Sequence, residues 1–128
     1  MTRLLQDRRD RWRILIVCIL LNRTSGRTVK RVLPHLFDRW PTAERMSMAV
    51  VSDVAECIRM CGLQNRKATH LVVLSRRYLE RDWNSVEELP GVGEYASDSW
   101  KIIVDGRRDF VPRDSVLKSY LDALKKRE

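Results

Sequence analysis

Apolar residues recur along this chain at spacings of three and four, the period of an α-helix. Trp12, Leu15, Ile16, Ile19 and Leu20 form one stripe, and the residues between them are mostly apolar too. A helix that is hydrophobic on nearly all sides belongs at the centre of a fold. Val29, Val32, Leu33, Leu36, Phe37 and Trp40 form a second stripe, in which Pro34 must kink or start the helix. Pro41 opens a short segment that runs to about Met48. Asp53 with Glu56 is a capping signal, Val54, Cys57, Ile58 and Cys61 make an inner face, and Gly62 is the expected stop. Asn65 is placed to cap the next helix, with Ala68, Leu71, Val72, Ser75, Tyr78 and Leu79 inward. Ser85 with Glu88 reads as a capping box. Ala96, Ser99, Trp100 and Ile103 share a face that Gly106 ends, and Val116, Leu117, Tyr120, Leu121 and Leu124 line the last helix. No segment alternates with the period of a strand, and no repeat or low-complexity linker interrupts the pattern. The expectation is all-α, a single domain over residues 1–128 with about seven to eight helices.

Composition narrows what such a domain does. The chain has 128 residues, enough for one domain with a real core. It carries 25 Lys and Arg against 17 Asp and Glu, a net charge of +8. That excess favours a polyanion partner through counterion release, although ribosomal and membrane-surface proteins are equally basic. A hydrophobic content of 44% excludes a disordered basic tail. The apolar run Ile14 to Leu21 is too short to cross a bilayer, and Asn22-Arg23-Thr24-Ser25 is a poor signal-cleavage site, so no membrane association is expected. Cys18, Cys57 and Cys61 lie on apolar faces, which points to a reducing compartment rather than a disulfide framework. Cys57 and Cys61 are four apart, but no further ligand of matching spacing follows. Packing is the favoured reading, and no metal is expected.

Four segments could carry chemistry. Leu89-Pro90-Gly91-Val92-Gly93-Glu94-Tyr95 sits between two helical patterns. Glycines there can adopt positive φ and bring bare backbone amides up to an anion. The alternative is a tight corner between helices. Asp114 follows Val111-Pro112-Arg113 and opens an apolar helix. Its structural role is an N-cap. Its functional role would be a fixed carboxylate that stabilises a cationic transition state, as cleavage of a sugar–base bond requires. Leu21-Asn22-Arg23-Thr24-Ser25-Gly26 is either a cap and turn or a polar loop at a pocket mouth. Leu63, in the turn Gly62-Leu63-Gln64, is either a buried loop leucine or an apolar wedge for the gap left by an extruded base.

The hairpin Leu89-Pro90-Gly91-Val92-Gly93 followed by Val111-Pro112-Arg113-Asp114 resembles the helix-hairpin-helix, Gly/Pro-Asp superfamily of base-excision DNA glycosylases. Leu21 to Gly26, Tyr95-Ala96-Ser97-Asp98-Ser99 and Pro112-x-Asp114-x-x-Leu117-x-x-Tyr120 bring it nearer to one branch, the glycosylase domains of methyl-CpG-binding domain protein 4. That branch removes thymine or uracil opposite guanine. The resemblance runs from about Leu5 to the C-terminus. It implies a DNA glycosylase fold with a helix-hairpin-helix motif. It implies Asp114 as the catalytic aspartate, and Gly91, Val92 and Gly93 as a phosphate cradle. Tyr95 would line the base pocket, Gln6 would read the pyrimidine edge, and Arg23 and Leu63 would probe or plug the duplex.

The departures are informative. Bifunctional relatives carry a lysine where this chain has Tyr95, so a Schiff base is not expected. No cysteine follows Cys61, so no iron–sulfur cluster and no other cofactor is expected. Arg113 replaces an acidic residue usual in the branch. The segment from Gln6 to Trp12 is also shorter than the family's spacing. The resemblance therefore implies a monofunctional DNA N-glycosylase that acts by base flipping on mispaired thymine or uracil. It would work as a monomer on double-stranded DNA, in the nucleus if the source is eukaryotic. Other readings are a glycosylase of different base preference such as adenine mispairs, a non-catalytic DNA-binding module, or a basic RNA- or protein-binding domain.

Overall fold

The computed structural model describes residues 8–80, 82–93, 96 and 100. Five α-helices follow in chain order: α1 Arg8–Leu21, α2 Gly26–Arg39, α3 Ala43–Ser47, α4 Val51–Cys57 and α5 Gln64–Glu80. Short 3-10 turns span Arg59–Cys61 and Val86–Glu88. Ala96 and Trp100 are helical, and no strand occurs among the described residues.

The all-apolar run of α1 is the reason for its place. Trp12 and every residue from Ile14 to Leu20 are buried, and α2 and α5 pack against it. The indole N–H that this helix carries inward is satisfied. Trp12 Nε1 donates to Ser75 Oγ at 2.9 Å, and Ser75 Oγ donates to the Leu71 carbonyl at 2.7 Å. Arg13 lies between the buried positions and is half-buried, its Nε enclosed without a hydrogen-bond partner. Its guanidinium covers the Phe37 ring at 4.4 Å and donates to the Pro41 carbonyl at 3.0 Å. Helix α5 then packs on α3 and α4 as well as α1.

Several element boundaries differ from the expected ones. Helix α2 begins at Gly26 under a Ser25 cap and runs through Pro34, which is exposed. Val29, Val32, Leu33 and Leu36 are buried on both sides of the proline, so packing outweighs the hydrogen bond it removes. Helix α4 starts at Val51 without a side-chain cap, and Asp53 lies in its first turn, where a carboxylate favours the helix dipole. Helix α5 starts at Gln64 rather than after Asn65, with Lys67 N donating to the Leu63 carbonyl at 2.9 Å. The capping box does form: Glu88 accepts from Ser85 N at 2.8 Å, and Ser85 Oγ accepts from Glu87 N at 3.4 Å.

That capped turn anchors the hairpin. Val86 and Leu89 are buried. Trp83 stacks on Tyr78 at 5.5 Å between ring centroids, donates to the Tyr78 carbonyl at 3.1 Å, and meets Trp100 edge-on at 6.1 Å. Aromatic contacts thus tie the segments before and after the hairpin to α5.

Candidate nucleic-acid interface

Leu89-Pro90-Gly91-Val92 closes on itself through Val92 N donating to the Leu89 carbonyl at 3.2 Å. Gly91 has φ of +80°, and proline precedes it, the residue pattern of a type II turn. A Cβ at Gly91 would stand 3.0 Å from Cβ and Cγ of His70 on α5. Glycine is therefore required twice there, for its φ and for the close approach. At Gly93 an added Cβ would meet nothing within 4 Å. The first glycine serves the fold, whereas the space beside the second is open to a ligand.

Two further turns have unusual backbone. Arg23, with φ of +56°, and Leu63, with φ of +49°, are the non-glycine residues in the left-handed region among the described residues. Such conformations persist only where the surroundings over-determine them, and they cluster at binding and catalytic sites. Both side chains are exposed. Leu63 retains 47% of its accessible surface, so it is not a buried loop leucine.

These three turns meet at one cavity of about 910 Å³. Cys18, Ile19 and Leu21 supply an apolar wall from the end of α1, with Asn22 and Arg23 beyond it. Leu63, Arg66, Lys67 and His70 come from the start of α5, and Gly91, Val92, Gly93 and Ala96 close the third side. A cavity of this size, part apolar with a few convergent polar groups, suits a small organic ligand. Arg23, Arg66 and Lys67 line it, and no carboxylate does so among the described residues. The charge favours an anion.

The expected site residues divide cleanly. The structure brings Arg23, Leu63, Gly91, Val92 and Gly93 to one cavity. Asp114, Tyr95 and Gln6 lie outside the described residues. Lys67 and His70 were not anticipated. The signal for Lys67 was its register, since it falls on the stripe that continues through Leu71, Leu74 and Tyr78. Burial lowers its pKa from the ordinary 10.5, an effect that the Cys61 thiol partly offsets. Burial also pushes the Cys61 thiol above its usual value, and Lys67 pulls it part of the way back. Among the described residues no group of three or more His, Cys, Asp or Glu is arranged to hold a metal ion. None of the described helices is long and apolar enough to cross a membrane.

Comparison with known proteins adds to this geometry. Residues 16–126 match the model of the HhH-GPD superfamily of base excision DNA repair proteins. The chain is 36% identical over 117 residues to a methyl-CpG-binding domain protein 4-like protein of Arabidopsis thaliana, covering 91% of this chain and 26% of that protein. It is 36% identical over 93 residues to a thymine-DNA glycosylase of Aeropyrum pernix, covering 67% of this chain and 42% of that one. The solved structure of a thermostable thymine-DNA glycosylase superposes with a TM-score of 0.71 at 27% identity, over 84% of this chain and 52% of the other. The chain thus spans about a quarter of the plant relative and less than half of the archaeal one.

Proposed function

Because the chain belongs to the HhH-GPD superfamily of base-excision DNA repair proteins, we propose that it is a monofunctional DNA N-glycosylase for thymine or uracil mispaired with guanine. The observation that carries this reading is the convergence of Arg23, Leu63 and the Gly91–Gly93 hairpin on one cationic cavity. Its relatives named for thymine-DNA glycosylase activity support the choice of base.

In this reading residues 1–128 act as one domain and as a monomer, since one extruded nucleotide needs one pocket. The amides of Gly91 and Gly93 hold a phosphate from a turn that Val92 N closes, a contact that fixes register without reading sequence. Leu63 fills the gap in the base stack, and Arg23 addresses the strand beside it. Extrusion costs a few kcal/mol and is cheapest at a mismatch, which supplies part of the selectivity. Tyr95 and Gln6 hold the flipped base. Asp114 stabilises the oxocarbenium character that grows as the sugar–base bond breaks. Water adds to the sugar carbon, its proton leaves with the base, and the strand stays intact with one base missing.

The test is a panel of duplexes carrying G·T, G·U, A·U, or adenine opposite oxidised guanine, followed by hot alkali. Breaks at G·T and G·U, and none without alkali, are expected. Breaks only at the adenine mispair would reassign the base. Tight binding without breaks anywhere would make this a non-catalytic module.

A further inference from the structure

Lys67 is 3% exposed, and every hydrogen of its ammonium is engaged. Nζ donates to the Leu20 carbonyl at 3.0 Å, to the Cys61 carbonyl at 3.1 Å and to Thr24 Oγ1 at 2.7 Å. Thr24 Oγ1 in turn donates to the Cys61 carbonyl, which closes the triangle. Among the described residues no carboxylate pairs with this charge. It is balanced instead by carbonyl oxygens at the C-terminal ends of α1 and of the Arg59–Cys61 turn. There the backbone has unsatisfied acceptors and a negative dipole end.

The position of those acceptors matters more than their number. Thr24 directly follows Arg23, and Cys61 is separated from Leu63 only by Gly62. The ammonium therefore grips both turns that carry the left-handed residues at the cavity mouth. Each turn is short, exposed at its tip and strained, so each would relax unless its base were held. A three-donor point charge on a stem rooted in α5 holds both from one rigid element.

We propose that Lys67 is a positioning residue for base extrusion, fixing the Arg23 turn against the Leu63 turn so that both side chains enter the same gap in the duplex. This inference rests on the glycosylase reading above. The geometry also argues against Lys67 as a strand-cleaving nucleophile, because an ammonium with all three hydrogens engaged offers no lone pair.

Lys67→Met keeps the stem and removes the donors. Thr24→Val is the milder second variant, cutting one arm of the triangle. Hydrogen exchange is the first readout: amides of residues 22–25 and 60–64 should open together, while those of Leu71 and Val72 stay protected. Exchange unchanged in either turn, or loosened throughout the chain, overturns the proposal. Single-turnover base release is the second. The loss on a fully stacked G·T duplex should be about tenfold to a hundredfold, the range expected when a reacting arrangement shifts by an ångström or so. On a duplex whose target nucleotide is already bulged out, the loss should be less than about threefold, since there is little stacking to displace. In an Arg23→Ala/Leu63→Ala background, Lys67→Met should add almost nothing, the non-additivity of residues that act through one another. Equal loss on stacked and bulged substrates overturns the positioning role alone. No base release by the unaltered protein from any substrate overturns the glycosylase reading instead.

Discussion

Gly91→Ala tests whether the hairpin is held in place by its fit against α5. Two costs add. The backbone at φ of +80° is left-handed, which an alanine adopts at a cost of about 1–2 kcal/mol. The new methyl would stand 3.0 Å from Cβ and Cγ of His70. The Cβ is fixed to the helix and cannot swing away, so α5 and the hairpin must separate. Overpacking of that kind costs about 1–3 kcal/mol. The sum, about 2–5 kcal/mol, is a large part of the roughly 5–15 kcal/mol that holds a domain together. It corresponds to a fall in Tm of roughly 7–19 °C for a chain of this size. Gly93→Ala is the internal control, because its Cβ meets no protein atom within 4 Å. It should leave Tm nearly unchanged. Thermal unfolding reads both variants, and a fluorescence-anisotropy titration with an undamaged duplex reads the hairpin's function. Gly91→Ala should weaken binding because the cradle has moved. Gly93→Ala should weaken it only by crowding the phosphate, with the same loss on every duplex. Adding His70→Ala to Gly91→Ala removes the Cγ contact but keeps the Cβ one, so it should restore part of the steric cost and none of the φ cost. Equal Tm for the two glycine variants, or no rescue by His70→Ala, would refute the reasoning.

Other outcomes follow from the same site. Asp114→Asn should nearly abolish base release, leave mismatch binding intact and change Tm little, since asparagine caps a helix about as well as aspartate. Turnover retained in a single-turnover assay would reduce Asp114 to a cap. Leu63→Ala or Arg23→Ala should slow excision from a stacked duplex more than from a bulge, and an equal loss on both would mean a folding defect. Borohydride added during turnover should trap no covalent protein–DNA species, because Tyr95 stands where strand-cleaving relatives place a lysine; a trapped band would show that another amine serves. Burial raises the Cys57 and Cys61 thiols above their ordinary 9.0, so their contribution is fully present below that pH and is lost as pH rises through the folded values. Lys67, lowered from 10.5, acts in the opposite sense, its contribution growing as pH rises. Cys57→Ala/Cys61→Ala should therefore lose less stability than the unaltered protein between about pH 8 and about pH 10 in urea unfolding. An unchanged pH slope would contradict this.

The helices themselves were legible in the chain because their cause is local. Trp12 and the run from Ile14 to Leu20 are buried since nothing else can be done with so continuous an apolar stretch. The stripes of α2 and α5 are buried where the 3.6-residue period puts them. Ser85 and Glu88 cap a turn by contacts three residues apart. Local rules failed where a distant segment had a say. Asn65 would cap α5 in isolation, but the chain enters from Leu63 in a left-handed conformation, and the helix starts earlier. Pro34 could start a helix or kink one, and α2 instead starts at Gly26 and runs through it, with buried residues on both sides. The site belongs to this second class. Motifs marked Arg23, Leu63 and Gly91 one at a time, but only the packing of α1, α5 and the hairpin brings them to one cavity. Nothing near Gly91 in sequence announces that His70 will fill the space beside it. Lys67 was visible only as a lysine on an apolar stripe. Its partners, the carbonyls of Leu20 and Cys61 and the hydroxyl of Thr24, come from backbone ends and a turn. Periodicity places a side chain on a face of its own helix. Which acceptors the facing segments present there is fixed only when those segments pack.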